Sequence, residues 1–226
     1  MQVFQLTAIK IDLMETVYNF LRELSIFILP LMLGIILHEV GHGYVAYLLG
    51  DPTAKQAGRL TLNPIKHLDP LGLAVLLITR KIGWAKPVPI NPAYFKDLKK
   101  GLFWVSAAGP AVNFALALIF WLIFKLVPLI MTSSPSFVQI YILYPIYLIS
   151  SAGVIVNIIL GVFNLIPFPP LDGSKMLLYF LPNSWIKKYL ELEKFGLVIL
   201  LVLIFLGYLD HFLTYLLNFI YKYILN

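Results

Sequence analysis

Residues 24–49 read LSIFILPLMLGIILHEVGHGYVAYLL, an apolar run broken only by His38-Glu39-Val40-Gly41-His42. At 1.5 Å per residue a helix over Leu24–Leu49 is about 39 Å long, more than the roughly 30 Å hydrocarbon core of a bilayer. Its composition therefore marks a membrane-spanning helix. A charged side chain at mid-membrane costs at least about 2.5–3.5 kcal/mol on insertion scales, so two histidines and a glutamate at one level need a purpose. On a helix, positions i and i+4 lie on one face, one turn apart. His38 and His42 can then reach one metal ion, and Glu39 between them can take a proton from an attacking water. The competing explanation is a polar cluster that glues helices together.

Three further runs are long enough to span: Leu102–Met131, Phe137–Pro167 and Phe195–Leu217. Leu68–Thr79 has only a dozen residues, about 18 Å as a helix, and leads into Gly83-Trp84-Ala85-Lys86-Pro87-Val88-Pro89-Ile90-Asn91-Pro92. Asp69–Asn91 is expected to be a hairpin-like element that dips into the membrane and returns, which requires cover from protein or a wet cavity. Ser184–Lys194 reads as a short interfacial amphipathic helix, with Trp185, Tyr189 and Leu192 on the apolar side. The expected fold is thus an all-α polytopic membrane protein with four long transmembrane helices, the dipping element and the interfacial helix. One domain covers residues 1–226, with a catalytic core of about 24–180 and an extra C-terminal helix at about 195–217.

Composition agrees. Of the 226 residues 60% are hydrophobic and 12% charged, about half the charged share of a soluble domain. There is no cysteine, so a metal site must be built from His, Asp, Glu or Asn. The net charge of +6 does not point to nucleic acid, because the cations sit in short loops between apolar runs. If the dipping element returns, residues 50–101 and 168–194 share a side and hold thirteen lysines and arginines, including Arg80 and Lys81. The other side keeps Lys10, Arg22 and Lys222, with Lys125 near a helix end. The rich side is expected in the cytoplasm and both termini outside. If the short element crosses instead, the bias weakens but survives. Met1–Glu23 shows no secretory signal. The partners expected are the lipid bilayer and transmembrane substrate proteins, and a homo-oligomer is compatible with the sequence.

Catalytic zinc takes three protein ligands and a water, so a third residue must join the two histidines. A His at 48 would complete one common zinc-protease pattern, but residue 48 is leucine. Glu191 and Glu193 fall in the interfacial segment, and Asp210 and His211 lie about 20 Å along the last helix, at the wrong depth. Asp51, Asp69 and Asp97 sit in basic loops. Asp172 remains. It follows Asn164-Leu165-Ile166-Pro167-Phe168-Pro169-Pro170-Leu171, whose prolines stop the third spanning helix. Gly173 is expected to allow an unusual φ that turns Asp172 back toward the metal. The bland role for Asp172 is an N-cap for the helix beginning near Ser174. His67, near Asp69 at the membrane edge, is expected to be structural rather than catalytic. Ser150, Gly153, Asn157, Gly161 and Asn164 form one small, polar face, suited to close packing or to lining a wet cleft. Asn113 and Asn157 are expected to hydrogen-bond between helices.

His38–His42 followed by Asn164 and Leu171-Asp172-Gly173 resembles the site-2 protease family of intramembrane zinc metalloproteases. Gly58–Pro64, Gly83–Pro92 and Ala107–Asn113 are similar to its compact bacterial and archaeal members, without PDZ or CBS modules. The resemblance covers roughly residues 30–180 in chain order. It implies one Zn2+ per chain held by His38, His42 and Asp172, with Glu39 as general base. It also implies that Asn164 holds substrate or the developing oxyanion, and that Gly109 and Asn113 form a helix-packing motif near the site. The function implied is hydrolysis of peptide bonds within or near transmembrane segments. Such substrates must unwind, and an edge strand over Trp84–Ile90, with Trp84 and Val88 as substrate contacts, can take over their backbone hydrogen bonds. The competing function is a transporter or ion pathway built on the buried His/Glu cluster, for which the expected internal repeats are not found.

Overall fold

The computed structural model describes residues 2–79 and 83–226. Arg80 and Lys81 therefore lie outside the described residues. Helix α1 runs over Gln2–Leu48. It starts well before Leu24 because residues 2–29 contain neither glycine nor proline, so nothing stops a helix from propagating backward. Its apolar spanning part is Met14–Leu48. Short α2 (Thr53–Gln56) and α3 (Pro70–Thr79) follow. Then come α4 (Leu98–Met131) and α5 (Ser136–Asn164), the latter containing a wide π turn at Gln139–Leu143. Asp97 starts α4 by accepting from the Lys100 N–H at 3.0 Å, and Asp69 starts α3 by accepting from the Leu71 and Gly72 N–H groups. The chain closes with α6 (Asp172–Leu177), α7 (Ser184–Phe205) and α8 (Tyr208–Tyr223).

Three helices, Met14–Leu48, Leu98–Met131 and Ser136–Asn164, are long and apolar enough to cross a membrane. The expected fourth span, Phe195–Leu217, is a bent pair of helices rather than one continuous helix. Gly207 takes φ +83°, a left-handed conformation that ends α7, and α8 leaves at 74° to it. The expected interfacial helix is not separate either. Ser184–Lys194 is the first half of α7, with Tyr189 turned inward onto Ser174 while Trp185 and Leu192 stay exposed. The bent pair touches the rest of the chain on both sides of its bend. Gly196 abuts Pro169 at one end, and at the other the Trp121 indole N–H donates to the Ile224 carbonyl beside the far half of α4.

α1, α4 and α5 pack side by side. The small face expected on α5 is used for close packing against α4: Gly153 sits on the Phe120 ring and Gly161 on Phe114. A core of Phe120, Val154, Ile155, Leu216 and Ile220 joins α4, α5 and α8. On the outer side of α4, Leu118, Leu122, Leu126 and Leu129 form a continuous exposed stripe. A protein in water seldom leaves such a stripe bare, whereas lipid covers it without cost.

The segment after α1 folds back on itself as the hairpin-like reading expects. α3 leads away, and the chain comes back extended from Gly83, so that Ala85 bridges Leu68 antiparallel and the Lys86 N–H donates to the His67 carbonyl at 2.9 Å. The two limbs press together at Gly72, where a β-carbon would lie 2.2 Å from the Trp84 carbonyl oxygen. Among the described residues this single bridge is the only β pairing.

Candidate metal centre

His38, Glu39 and His42 occupy adjacent turns of α1, about 15 Å from its end at Leu48. Gly109 of α4 faces them, about as far into its own helix. The two imidazoles are 92–93% buried and their Nε2 atoms lie 2.9 Å apart. Asp172, at the start of α6, brings its Oδ2 to 3.2 Å from each Nε2. The three side chains that the sequence singled out as ligands therefore meet, their candidate ligand atoms all within 4.8 Å of one another.

The hydrogen bonds around the histidines decide which nitrogen carries a proton. His42 Nδ1 is 2.7 Å from the Val105 carbonyl, which can only accept, so this nitrogen donates. His38 Nδ1 is 2.6 Å from Asn113 Oδ1 and donates likewise. In the neutral rings both Nε2 atoms keep a lone pair, and the two lone pairs point into the same space. Asp172 Oδ2 adds a third, buried and without a hydrogen-bond partner. Three converging lone pairs repel one another unless a cation sits among them. Their separations of 2.9–3.2 Å also suit zinc, whose tetrahedral bonds of about 2.0–2.1 Å to N and O put neighbouring ligands about 3.3 Å apart. Gly109 keeps this space open: a β-carbon there would fall 2.5 Å from His42 Nε2 and 2.6 Å from His38 Nε2. The expectation that Gly109 and Asn113 serve helix packing is sharpened accordingly. Gly109 leaves room at the centre itself, and Asn113 orients a ring.

Asp172 reaches the histidines through Gly173, though not by an unusual φ. Positive φ among the described glycines occurs only at Gly50, Gly58 and Gly207. Gly173 instead permits a close approach, since a β-carbon on it would lie 2.1 Å from the Leu165 carbonyl oxygen. This packs the start of α6 under the end of α5. The N-cap of α6 is Leu171 and Asp172 is its first helical residue, so Asp172 does not take the capping role that was its alternative.

Glu39 is half-buried and its Oε2 accepts from the Val88 N–H at 2.8 Å. This contact ties the returning limb to the candidate base. The Val88 side chain is buried against Gly43, and the Trp84 ring lies on Gly72. Asn164 closes α5 and donates back to the Leu160 carbonyl at 3.0 Å. His67 is 99% buried, deeper than a loop histidine is expected to be, and is held by the Thr61 carbonyl at 2.8 Å, a structural arrangement.

Two further residues position the limb. Buried Arg59 donates from Nη2 to the Lys86 carbonyl at 2.6 Å and from Nη1 to the Pro87 carbonyl at 3.2 Å. Asp51, fully buried just past α1, accepts from the Thr53 N–H at 2.9 Å and the Asn91 N–H at 2.7 Å. Burial works against its charge, but the bonds from Thr53 and Asn91 outweigh it and hold its carboxyl below the usual range. Neither role was read from the sequence, where both residues look like loop charges. The one signal was that a proline-rich segment, short of N–H donors, needs something to grip its carbonyls.

Residues 91–207 match the family model described as Peptidase family M50. The match begins after the His38–His42 motif and includes Asp172. The chain is 37% identical over 181 residues to YwhC of Bacillus subtilis, covering 78% of each protein. It is 29% identical over 196 residues to Rip2 of Mycolicibacterium smegmatis, covering 81% of this chain and 69% of that one. The names of both relatives class them as zinc metalloproteases. No solved structure matches the chain. With a donor set that fits Zn2+ and apolar helices that fit a membrane, the chain is a zinc metalloendopeptidase and belongs to peptidase family M50.

Proposed function

We propose that this protein cuts other membrane proteins within or beside their transmembrane segments, with His38, His42 and Asp172 as zinc ligands and Glu39 as general base. The observation that carries this reading is the convergence of three lone pairs between helices that are themselves long and apolar enough to span. The centre lies about 15 Å along α1 and α4 from their ends on one side, beneath the level of a bilayer surface.

Zinc held there supplies a Lewis acid for the scissile carbonyl and lowers the pKa of an attacking water toward about 7. Glu39 takes the water proton on its carboxylate and passes it to the leaving nitrogen. The Val88 N–H fixes the rotation of that carboxylate through Oε2, and Oε1 is the atom we assign to the transfer. The limb around Trp84–Ile90 offers extended backbone beside the base, and a substrate unwound from its own helix pairs along it. Asn164 is assigned to the substrate backbone or the developing oxyanion. The lysine- and arginine-rich ends of the helices face the cytoplasm, which puts the centre nearer that side and both termini outside.

The test uses the full chain in lipid vesicles with a panel of single-span membrane proteins, and mass spectrometry of the fragments. Cuts are expected inside or next to the apolar segments, absent with Glu39→Gln although that variant keeps its zinc. Cuts confined to soluble loops, or unchanged by Glu39→Gln, would overturn the reading.

A further inference from the structure

We propose that Asn157, on the third spanning helix, is a positioning residue for the metal centre: acting through Asn113, it sets which nitrogen of His38 carries the proton. The inference rests on the zinc ligation proposed above.

A carboxamide has one end that donates and one that accepts, so its orientation is information that can be handed along a chain of contacts. Asn157 Nδ2 donates to the Gly153 carbonyl one turn back on α5, at 2.9 Å. That commits its nitrogen and leaves Oδ1 facing α4, where it accepts from Asn113 Nδ2 at 3.1 Å. Asn113 Nδ2 also donates to the Gly34 carbonyl of α1 at 3.1 Å. Both of its amide hydrogens are thereby used on acceptors, which leaves Oδ1 for His38 Nδ1 at 2.6 Å. An oxygen with no hydrogen obliges that nitrogen to donate, and in the neutral ring the lone pair falls on Nε2, toward Asp172 and His42.

Asn113 and Asn157 are both fully buried, so water is at hand to repair neither. Without Asn157 the Asn113 amide keeps only the Gly34 carbonyl. It can then flip, present its hydrogens to His38 Nδ1 and drive the proton to Nε2, where it blocks the metal. The junction is tight: a β-carbon on Gly34 would lie 2.8 Å from Asn157 Oδ1. His42 has its own orienting partner, the Val105 carbonyl, so the relay governs His38 alone.

A bond that merely glues helices together lowers the unfolding temperature and leaves metal affinity alone. The experiment therefore measures zinc affinity by chelator competition, and the unfolding temperature, on the detergent-solubilised full chain. Asn157→Ala is expected to weaken zinc binding about tenfold, the low end for partners outside the ligand set. Asn157→Leu, which keeps the volume if the alanine leaves too large a hole, is expected to do the same. In an Asn113→Ala background the Asn157 change is expected to shift affinity by less than about twofold, because the link is already cut. Val154→Ala, buried on the same helix, is expected to lower the unfolding temperature with affinity intact.

Wild-type affinity in both Asn157 variants, whatever their stability, overturns the proposal. So does an Asn157 effect undiminished by Asn113→Ala. A wild-type chain without zinc, or a His38→Ala chain that binds it as tightly as wild type, overturns the ligation reading instead.

Discussion

Gly109→Ala is the smallest change that should empty the centre. The new β-carbon is rigid, since alanine has no rotamer by which to escape. It would lie 2.5 Å from His38 Cε1 and His42 Nε2 and 2.6 Å from His38 Nε2. Non-bonded heavy atoms settle at about 3.5–4.0 Å, so α4 and the rings must part by about 1 Å. Overpacking of this kind costs about 1–3 kcal/mol of stability. The centre is less forgiving, because ligand distances tolerate only about 0.2 Å. Loss of a partner outside the ligand set already weakens metal binding about 10–100-fold, so displacing the ligands should weaken it at least about 100-fold. The assay is zinc per chain by elemental analysis, with chelator competition for affinity, beside the unfolding temperature of the metal-free protein. A large drop in zinc with a modest drop in metal-free stability is expected. A Gly109→Ala chain that holds zinc with wild-type affinity would refute the placement of α4 against the imidazoles, and with it the reason for a glycine there.

Three other outcomes follow from the same geometry. Asp172→Ala should lower zinc content well below that of wild type, and equal zinc in the two would send the search for a third ligand elsewhere. Arg59→Leu should cut peptidase activity at least tenfold with zinc content unchanged, because it frees the Lys86 and Pro87 carbonyls and lets the limb drift from Glu39; full activity would show that the clamp is dispensable. Asp51→Ala should cost at least about 2 kcal/mol, the scale of a hydrogen bond to a charged group. The folded carboxyl of Asp51 is lowered, so its contribution is complete above the ordinary carboxylate pKa of about 3.9 and is lost as pH falls through the lower folded value. Thermal melts from neutral pH to below that range should therefore fall more steeply for wild type than for Asp51→Asn, and parallel curves would remove Asp51 from the account.

What the sequence announced, and what it kept back, divides along a physical line. His38, Glu39 and His42 were legible because a helix converts spacing into direction, and because polar groups in an apolar run are too costly to be idle. Asp172 was legible by elimination among eleven acidic residues and by the prolines that end the helix before it. The hairpin was half legible: a dozen residues are short for a crossing and favour a return, but length and charge left a crossing open until the Leu68–Ala85 pairing closed the two limbs. Contacts made by backbone carbonyls were hidden, because a carbonyl is the same at every position. Val105 gave no sign that it would orient His42, nor Lys86 and Pro87 that Arg59 would grip them. The bend after α7 was hidden for a related reason. Gly207 sits in a run apolar enough for one straight span, and glycine within a helix is tolerated as readily as it is used to end one. The asparagines fall between these cases. Their burial could be read from the apolar runs around them, but the direction of each amide depends on what its neighbour donates. In this protein that direction is set by a line of contacts crossing all three packed helices, from the Gly153 carbonyl to the Nε2 lone pair of His38. The order of the helices in space, which no local pattern encodes, is thus what turns an ordinary HExxH turn into a centre with its lone pairs aimed.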